Sequence, residues 1–460
     1  MAADYDPQFE HENWSSEAVF LLATIGGAVG LGNLWRFPYL VGENGGGAFV
    51  LIYIGFVVLL CLPLVLTELA LGRRGKGSAI TTIRKLAAES NASSGWHIIG
   101  WLSILIPLVA LSYYAVIAGW SVDYIEKAAL GKLQGITAEE STAAFGAMTE
   151  SPMRVLVLHA LFIAGAIFVV ARGLGKGIEV IMRVMMPGLF LLLVGLAIYS
   201  VLQADIGSAL NFLFNADFSK ITGKVVVLAL GQAFFSVTVG AGLLITYGAY
   251  LPAEISLGKA SVIIVIADTA VALLAGIVIF PIVFSSGLDP AGGPGLIFQT
   301  LPVAFGSMSG GYVVGLLFFI MLFFAAFSTA IAMLEPPVSW LEEHRGFSRL
   351  KVTFGAGVFA WFIGLGSALS FNVLSDARPF SGIPLMADMT IFGAVDFVVG
   401  SLLMPLNAAI MCLFAGWAMS GSVLFDEMGV SNPKVVAYVR FILKFVAPVL
   451  VGCIFINSFV

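Results

Sequence analysis

The sequence predicts an all-α polytopic membrane protein of about eleven transmembrane helices, arranged as a five-plus-five inverted repeat with the first and sixth helices broken. Three observations predict it. The composition suits a bilayer, apolar stretches of spanning length recur along the chain, and two glycine-rich interruptions fall at corresponding places in its halves.

Of 460 residues, 60% are hydrophobic and only 11% charged, with a mean hydropathy of +1.03. Soluble proteins carry about 25% charged residues, and a soluble fold of this length could not hide so much apolar surface. The 52 glycines fit the same reading, because Gly is commoner in membrane helices than in soluble ones. The net charge of −5 is spread thinly and leaves no basic patch for nucleic acid. Cys61, Cys412 and Cys453 sit in apolar runs without CxxC or Cys/His spacing, so neither a metal site nor a disulfide framework is indicated. His11, His97, His159 and His344 form no Ser/His dyad or HExxH motif, which argues against an intramembrane enzyme. The first seventeen residues are acidic and polar, without the basic start of a signal peptide, so the first apolar run reads as a retained helix.

A spanning helix needs roughly 20 apolar residues. Candidates fall at about 17–41, 46–72, 97–128, 154–171, 178–203, 224–250, 259–286, 312–341, 351–371, 385–419 and 434–459. The stretch 291–307 is too short and too rich in Gly and Pro to span, and reads as a loop helix dipping toward the protein. Lys and Arg gather in one set of loops, among them Arg73, Arg74, Lys76, Arg84, Lys85, Arg172 and Lys176. Positive charge marks the cytoplasmic side, which puts the N-terminus inside and, after eleven helices, the C-terminus outside. The whole chain, 1–460, reads as a single transmembrane domain, with repeats over about 17–203 and 224–419 and an additional helix at 434–459. The expected location is the cell membrane, multi-pass.

The first helix contains Gly26-Gly27-Ala28-Val29-Gly30-Leu31-Gly32-Asn33, and the sixth contains Ser236-Val237-Thr238-Val239-Gly240-Ala241-Gly242. Unwound backbone at membrane depth is tolerated only around a protein-lined or watery cavity. Matched breaks in two halves point to an inverted-repeat transporter with its site at mid-membrane.

The run from Gly26 to Asn33, continued by Leu34-Trp35-Arg36-Phe37-Pro38-Tyr39 and Glu43-Asn44-Gly45-Gly46-Gly47-Ala48-Phe49, resembles the helix 1 signature of the neurotransmitter:sodium symporters. Gly231-Gln232-Ala233-Phe234-Phe235-Ser236 with Ile245-Thr246-Tyr247-Gly248-Ala249-Tyr250 is similar to helix 6 of that family, and Phe323-Phe324-Ala325-Ala326-Phe327-Ser328-Thr329 to the sodium-binding part of helix 8. The eleven helices match its bacterial branch.

The resemblance implies a sodium-coupled secondary active symporter working by alternating access. One sodium would be held by the Ala28 carbonyl, Asn33, Ser236, Asp268 and the substrate carboxylate. A second would be held by the Gly26, Val29 and Ala325 carbonyls with Ser328 and Thr329. Asp268 is independently notable, because an intramembrane carboxylate costs about 3 kcal/mol and is a functional candidate by default. Chloride-dependent relatives carry Asn and Ser where this chain has Asp268 and Ala272, so chloride is not expected to be required, although Tyr53, Gln232 and Ser236 resemble the remaining chloride ligands. The substrate pocket would comprise Ala28, Gly30, Gly32, Ala110, Tyr114, Phe235, Ser236, Thr238, Ala241, Thr329 and Met333. Amine transporters of the family carry Asp at the Gly30 position, so a carboxylate-bearing solute fits better. The small Ala110 and Ala241 favour a neutral, bulky hydrophobic or aromatic L-amino acid. A GABA- or glycine-like solute, or a sodium-gated receptor that does not transport, are the alternatives. The gates would be Arg36 with Asp396 outside, and Trp14, Tyr250 and Glu343 inside, with His11 where the family has Arg. Glu68 and Glu335 read as a supporting network around the sixth-helix break. Gly177 and Pro187 mark a weak inner end of the fifth helix. The partners expected are the amino acid and the lipid bilayer.

Overall fold

The structure is a computed structural model that describes residues 12–291, 293–383 and 386–459. Among them no strand forms, and a single isolated bridge pairs Gly46 with Ala216. Among the described residues, nine helices are long and apolar enough to span a membrane. A tenth span is the bent pair Glu17–Ala28 and Gly32–Glu43, which turns by 49° and forms α1. The others in chain order are α2 (Gly47–Gly75), α3 (Ile98–Ala129), α4 (Pro152–Val170) and α5 (Leu174–Gln203). The eleventh expected helix, α6, is present as two short pieces, Gly223–Ser236 and Leu243–Ala249. Then follow α7 (Leu257–Ser285), α8 (Gly311–Arg345), α9 (Arg349–Leu369), α10 (Ile391–Ala418) and α11 (Pro433–Cys453).

Two boundaries differ usefully from the sequence reading. α10 begins at Ile391 rather than near 385, because the Thr390 side chain caps it by accepting the Gly393 N–H at 3.2 Å. α5 begins earlier than expected, in a wide turn at Leu174–Ile178. A side chain at Gly177 would meet the Val169 carbonyl at 2.1 Å, so glycine there permits that turn to pack, and Pro187 sits inside continuous helix. Connecting helices outside the spans include Ala79–Glu89, Ala138–Thr149, Ile206–Phe214 and Gly421–Met428, and Leu296–Ser307, which is too short to span and falls where the loop helix was expected.

α3, α4, α8 and α9 pack on one another, while α1, α2, α6 and α7 form a second group. Within the second group, the broken helices α1 and α6 are the ones that also face α8 of the first. α1 ends its first half at Val29, which is extended (φ −70°, ψ 104°). The Gly30 N–H, which would bond Gly26 in continuous helix, instead donates to Asn33 Oδ1 at 3.2 Å, and the Leu31 N–H donates to the Tyr114 hydroxyl at 3.3 Å. The Gly26 carbonyl is thereby freed from its helical partner.

α6 breaks by a different device. The Thr238 N–H reaches the Phe235 carbonyl and the Val239 N–H reaches the Phe234 carbonyl, the two bonds of a Schellman stop. Thr238 is left-handed at φ +57°, a position normally held by Gly. A β-branched residue there is a strained outlier. Gly240 and Gly242 follow at φ +82° and +80°. A side chain on Gly240 would strike the Met404 carbonyl at 2.3 Å, and one on Gly242 the Ser103 carbonyl at 2.5 Å. The Gly240 peptide is held from both sides: its N–H donates to Glu68 of α2 at 2.7 Å, and its carbonyl accepts from Asn407 of α10 at 2.8 Å.

Candidate functional site

Between the two breaks lies a cavity with about 450 Å³ of atom-free space. It is lined by Ala28, Gly30, Leu31 and Gly32 of α1, by Ile106, Pro107, Ala110, Tyr113 and Tyr114 of α3, and by Phe235, Thr238, Ala241 and Leu243 of α6. Thr329 and Met333 of α8 and Met404 of α10 complete it. Ten of the eleven substrate residues expected from sequence stand on this wall; Ser236 turns away from it. Leu31, Ile106, Pro107, Tyr113, Leu243 and Met404 were not anticipated. At Gly30 a side chain would begin 2.5 Å from Thr329 Oγ1 and 2.8 Å from the Tyr114 hydroxyl. This geometry leaves no room for an Asp in that place.

Behind the α1 wall, Ser236, Asn33 and Asp268 form one fully buried cluster. The Asn33 amide donates to Asp268 Oδ1 at 2.8 Å and to Ser236 Oγ at 3.0 Å, and Ser236 donates to Asp268 Oδ2 at 2.7 Å. Both carboxylate oxygens therefore accept. The Tyr53 hydroxyl stands 3.1 Å from Ser236 Oγ, and the Gln232 amide donates to the Gly32 carbonyl at 2.9 Å. Ala272 is buried one turn along α7 from Asp268.

On the other side of the α1 break, Thr329 Oγ1 lies 3.3, 3.2 and 3.2 Å from the carbonyls of Gly26, Val29 and Ala325. Ser328 donates to the Ala325 carbonyl at 3.0 Å. The five groups expected to hold a second ion are thus gathered. One hydroxyl has a single proton to give to three acceptors, so this is an oxygen-rich knot suited to a hard cation, whose water shell such oxygens replace.

Arg36 and Asp396 line a neighbouring cavity of about 370 Å³ with Trp35, Tyr39, Tyr113 and Phe392. Among the described residues no ion pair joins them. The Arg36 guanidinium instead lies 4.6 Å from the Phe235 ring centre, with Nη1 buried and unpartnered. At the opposite end, Trp14 is 3% exposed and donates from its ring to the Tyr247 carbonyl at 3.0 Å and from its backbone to the Tyr250 carbonyl at 3.1 Å. The Tyr250 hydroxyl donates to Glu335 at 2.8 Å, and Arg349 pairs with Glu335 at 2.5 Å and Glu342 at 3.1 Å. Glu68 does support the α6 break, whereas Glu335 belongs to this end seal. Arg349 is its central cation. Glu343 accepts the Ser78 N–H at 2.7 Å. His11 lies outside the described residues.

Two discontinuous helices with a cavity between them and adjoining oxygen clusters are the arrangement of an ion-coupled transporter. The profile of the sodium:neurotransmitter symporter family matches residues 11–143 and 132–460, and the chain belongs to that family. It is 36% identical over 447 residues to the uncharacterized sodium-dependent transporter YhdH of Bacillus subtilis, covering 96% of this chain and 97% of that protein. It is 32% identical over 465 residues to an uncharacterized sodium-dependent transporter of Haemophilus influenzae, covering 98% of each. Among solved structures, the crystal structure of MhsT in complex with L-phenylalanine matches with a TM-score of 0.88 at 38% identity, over 97% of this chain and all of that one. The protein is accordingly a multi-pass, sodium-dependent transporter and not an enzyme.

Proposed function

We propose that the protein carries a bulky neutral L-amino acid, aromatic by preference, together with two sodium ions, by alternating access and without chloride. The carrying observation is the cavity itself. Its α1 side offers the Leu31 amide, the Tyr114 hydroxyl and Thr329, while Ile106, Pro107, Ala241, Leu243 and Met404 supply apolar wall. The substrate carboxylate would meet the α1 break, where exposed amides of a half-helix favour an anion. The side chain would extend toward Ala110 and Ala241. The L-phenylalanine bound to MhsT supports this choice of solute.

The first sodium would sit among the Ala28 carbonyl, Asn33, Ser236, Asp268 and the bound carboxylate. The second would sit among the Gly26, Val29 and Ala325 carbonyls, Ser328 and Thr329. Asp268 supplies the fixed negative charge that makes chloride dispensable. Two sodium ions with a net-neutral solute move two charges, worth about 4.6 kcal/mol at 100 mV. Arg36, Asp396 and Phe235 would close the outer path, and Trp14, Tyr250 and Glu343, with Glu335 and Arg349, the inner one. The N-terminus would be cytoplasmic and the C-terminus outside, in a bacterial inner membrane.

Amino-acid uptake into proteoliposomes tests the reading. Phenylalanine uptake should require sodium outside, fail in potassium, and persist when gluconate replaces chloride. Asp268→Asn should weaken sodium binding about 10- to 150-fold, the 1.5–3 kcal/mol typical of a hydrogen bond to a charged group. Adding Ala272→Ser should make uptake chloride-dependent. Wild-type uptake that collapses in gluconate would refute the role given to Asp268.

A further inference from the structure

We propose that the junction of α10 and α11 holds the headgroup of an anionic phospholipid, between Arg440 and Lys444. This site is separate from the transport path. α10 ends and α11 begins on the same face of the membrane as Trp14. There the two helices run antiparallel, so that Trp417 stands beside Lys444 and Gly421 beside Arg440. The Lys444 ammonium lies 4.4 Å from the Trp417 ring centre, and the Trp417 indole donates to the Lys444 carbonyl at 3.1 Å. Ring and ammonium are therefore fixed together rather than free to drift. A wide turn at Ile442–Val446 carries Lys444, and such turns are frequent at functional sites. A side chain added at Gly421 would meet Arg440 Nη1 at 3.9 Å, so the absence of one leaves that flank of the guanidinium open.

The surroundings are those of a membrane interface. Trp417 is 57% exposed, Phe441 56% and Phe445 47%. Phe445 packs edge-on against Trp417 at 5.4 Å and beside Phe441 at 5.7 Å. Tryptophan and basic residues favour this depth, and basic pockets between membrane helices bind anionic headgroups. The charge count then argues for an occupant. Among the described residues neither Arg440 nor Lys444 has a carboxylate within 4 Å, and the nearby Glu427 is already paired with Arg73 at 2.5 Å. Two like charges about a turn apart repel, and among the described residues neither forms an ion pair. A phosphodiester lying between them, with its acyl chains along Phe441 and Phe445, satisfies both.

Native mass spectrometry of the full chain in mixed phosphatidylglycerol–phosphatidylcholine micelles provides the test. Wild type should retain phosphatidylglycerol in preference to phosphatidylcholine. Arg440→Gln with Lys444→Gln should weaken that retention about 25-fold, roughly fivefold per cation, as expected for about 1 kcal/mol from each basic residue at an anionic surface. The charge-conserving pair Arg440→Lys with Lys444→Arg should keep it. A second measurement needs no variant: a photoreactive phosphatidylglycerol headgroup should label peptides containing Trp417–Gly421 and Arg440–Lys444. Equal retention of the two lipids, an unchanged double Gln variant, or labelling confined to other helices would each overturn the proposal. So would displacement of the lipid by inorganic phosphate at equal concentration, which would mark a site for free anions.

Discussion

At the N-terminal end of the path the seal is made of directional bonds. Trp14 is pinned to the Tyr247 and Tyr250 carbonyls, Tyr250 to Glu335, and Glu335 to Arg349. Glu12 adds an acceptor for the Gly175 N–H at 2.9 Å, and the Ser15 hydroxyl donates to Glu179 at 2.6 Å. At the other end, Arg36 and Asp396 share a cavity without an ion pair, and Arg36 rests on the face of Phe235. One seal is buried, charged and tied by directional bonds; the other is aromatic, with Arg36 against the Phe235 ring. The difference lies in what each end is built from: directional bonds at the first, and at the second a ring face beside an unpartnered guanidinium nitrogen, Arg36 Nη1.

The contrast can be broken at its strong end first. Arg349→Ala leaves Glu335 buried and unpaired, which costs about 3–5 kcal/mol for a buried pair. The melting temperature should fall, and a cysteine reporter at Ser339, 1% exposed, should be alkylated faster from the N-terminal side. An unchanged alkylation rate would mean that the ion pair does not hold this seal. Between the seals, Ala241→Phe should overfill the cavity at about 1–3 kcal/mol, weakening phenylalanine about 5- to 150-fold and alanine less. Equal losses for both solutes would remove Ala241 from the pocket wall.

At the weak end, Arg36→Ala removes a cation–π contact worth about 0.5–1 kcal/mol and should lower phenylalanine affinity only a few-fold. A loss as large as that of Arg349→Ala would erase the distinction between the two seals. The smallest effect concerns the connecting helix Ala138–Thr149. Its Glu140 carboxyl is held below the usual carboxylate range by the Thr137 N–H and hydroxyl in a capping box. Because the folded value is depressed, this contribution is complete above the ordinary range near pH 4.3 and fades as pH falls through the folded value. Hydrogen exchange of that helix should quicken slightly in acid, and Glu140→Gln should abolish the pH dependence.

Much of this was legible in the chain because it is local. Apolar length gave the spans, and Gly26 to Asn33 announced the α1 break by glycine content alone. Thr238 was not legible as the stop of the first half of α6, since a β-branched residue is the wrong chemistry for a left-handed turn. It is held there by the packing of Gly240 and Gly242 against α10 and α3. Met404 escaped notice because a wide turn at Val398–Leu403 rotates α10 just before it, and no periodicity in sequence records that phase. Arg349 and Glu335 meet across the turn between α8 and α9, a pairing that charge counting cannot see. The connecting helices were too short to register as spanning apolar runs.

The grip on Gly240 has a mechanical consequence. A peptide whose amide is tied to α2 and whose carbonyl is tied to α10 behaves as a hinge pin set in two bearings. In such a pivot the two arms of α6 on either side would turn rather than slide. A small displacement at the end bonded to Trp14 becomes an angle at the pocket wall, and the reach of each arm sets the gearing. Lengthening either arm would change how far the wall swings for a given push, without altering a single atom that touches the solute.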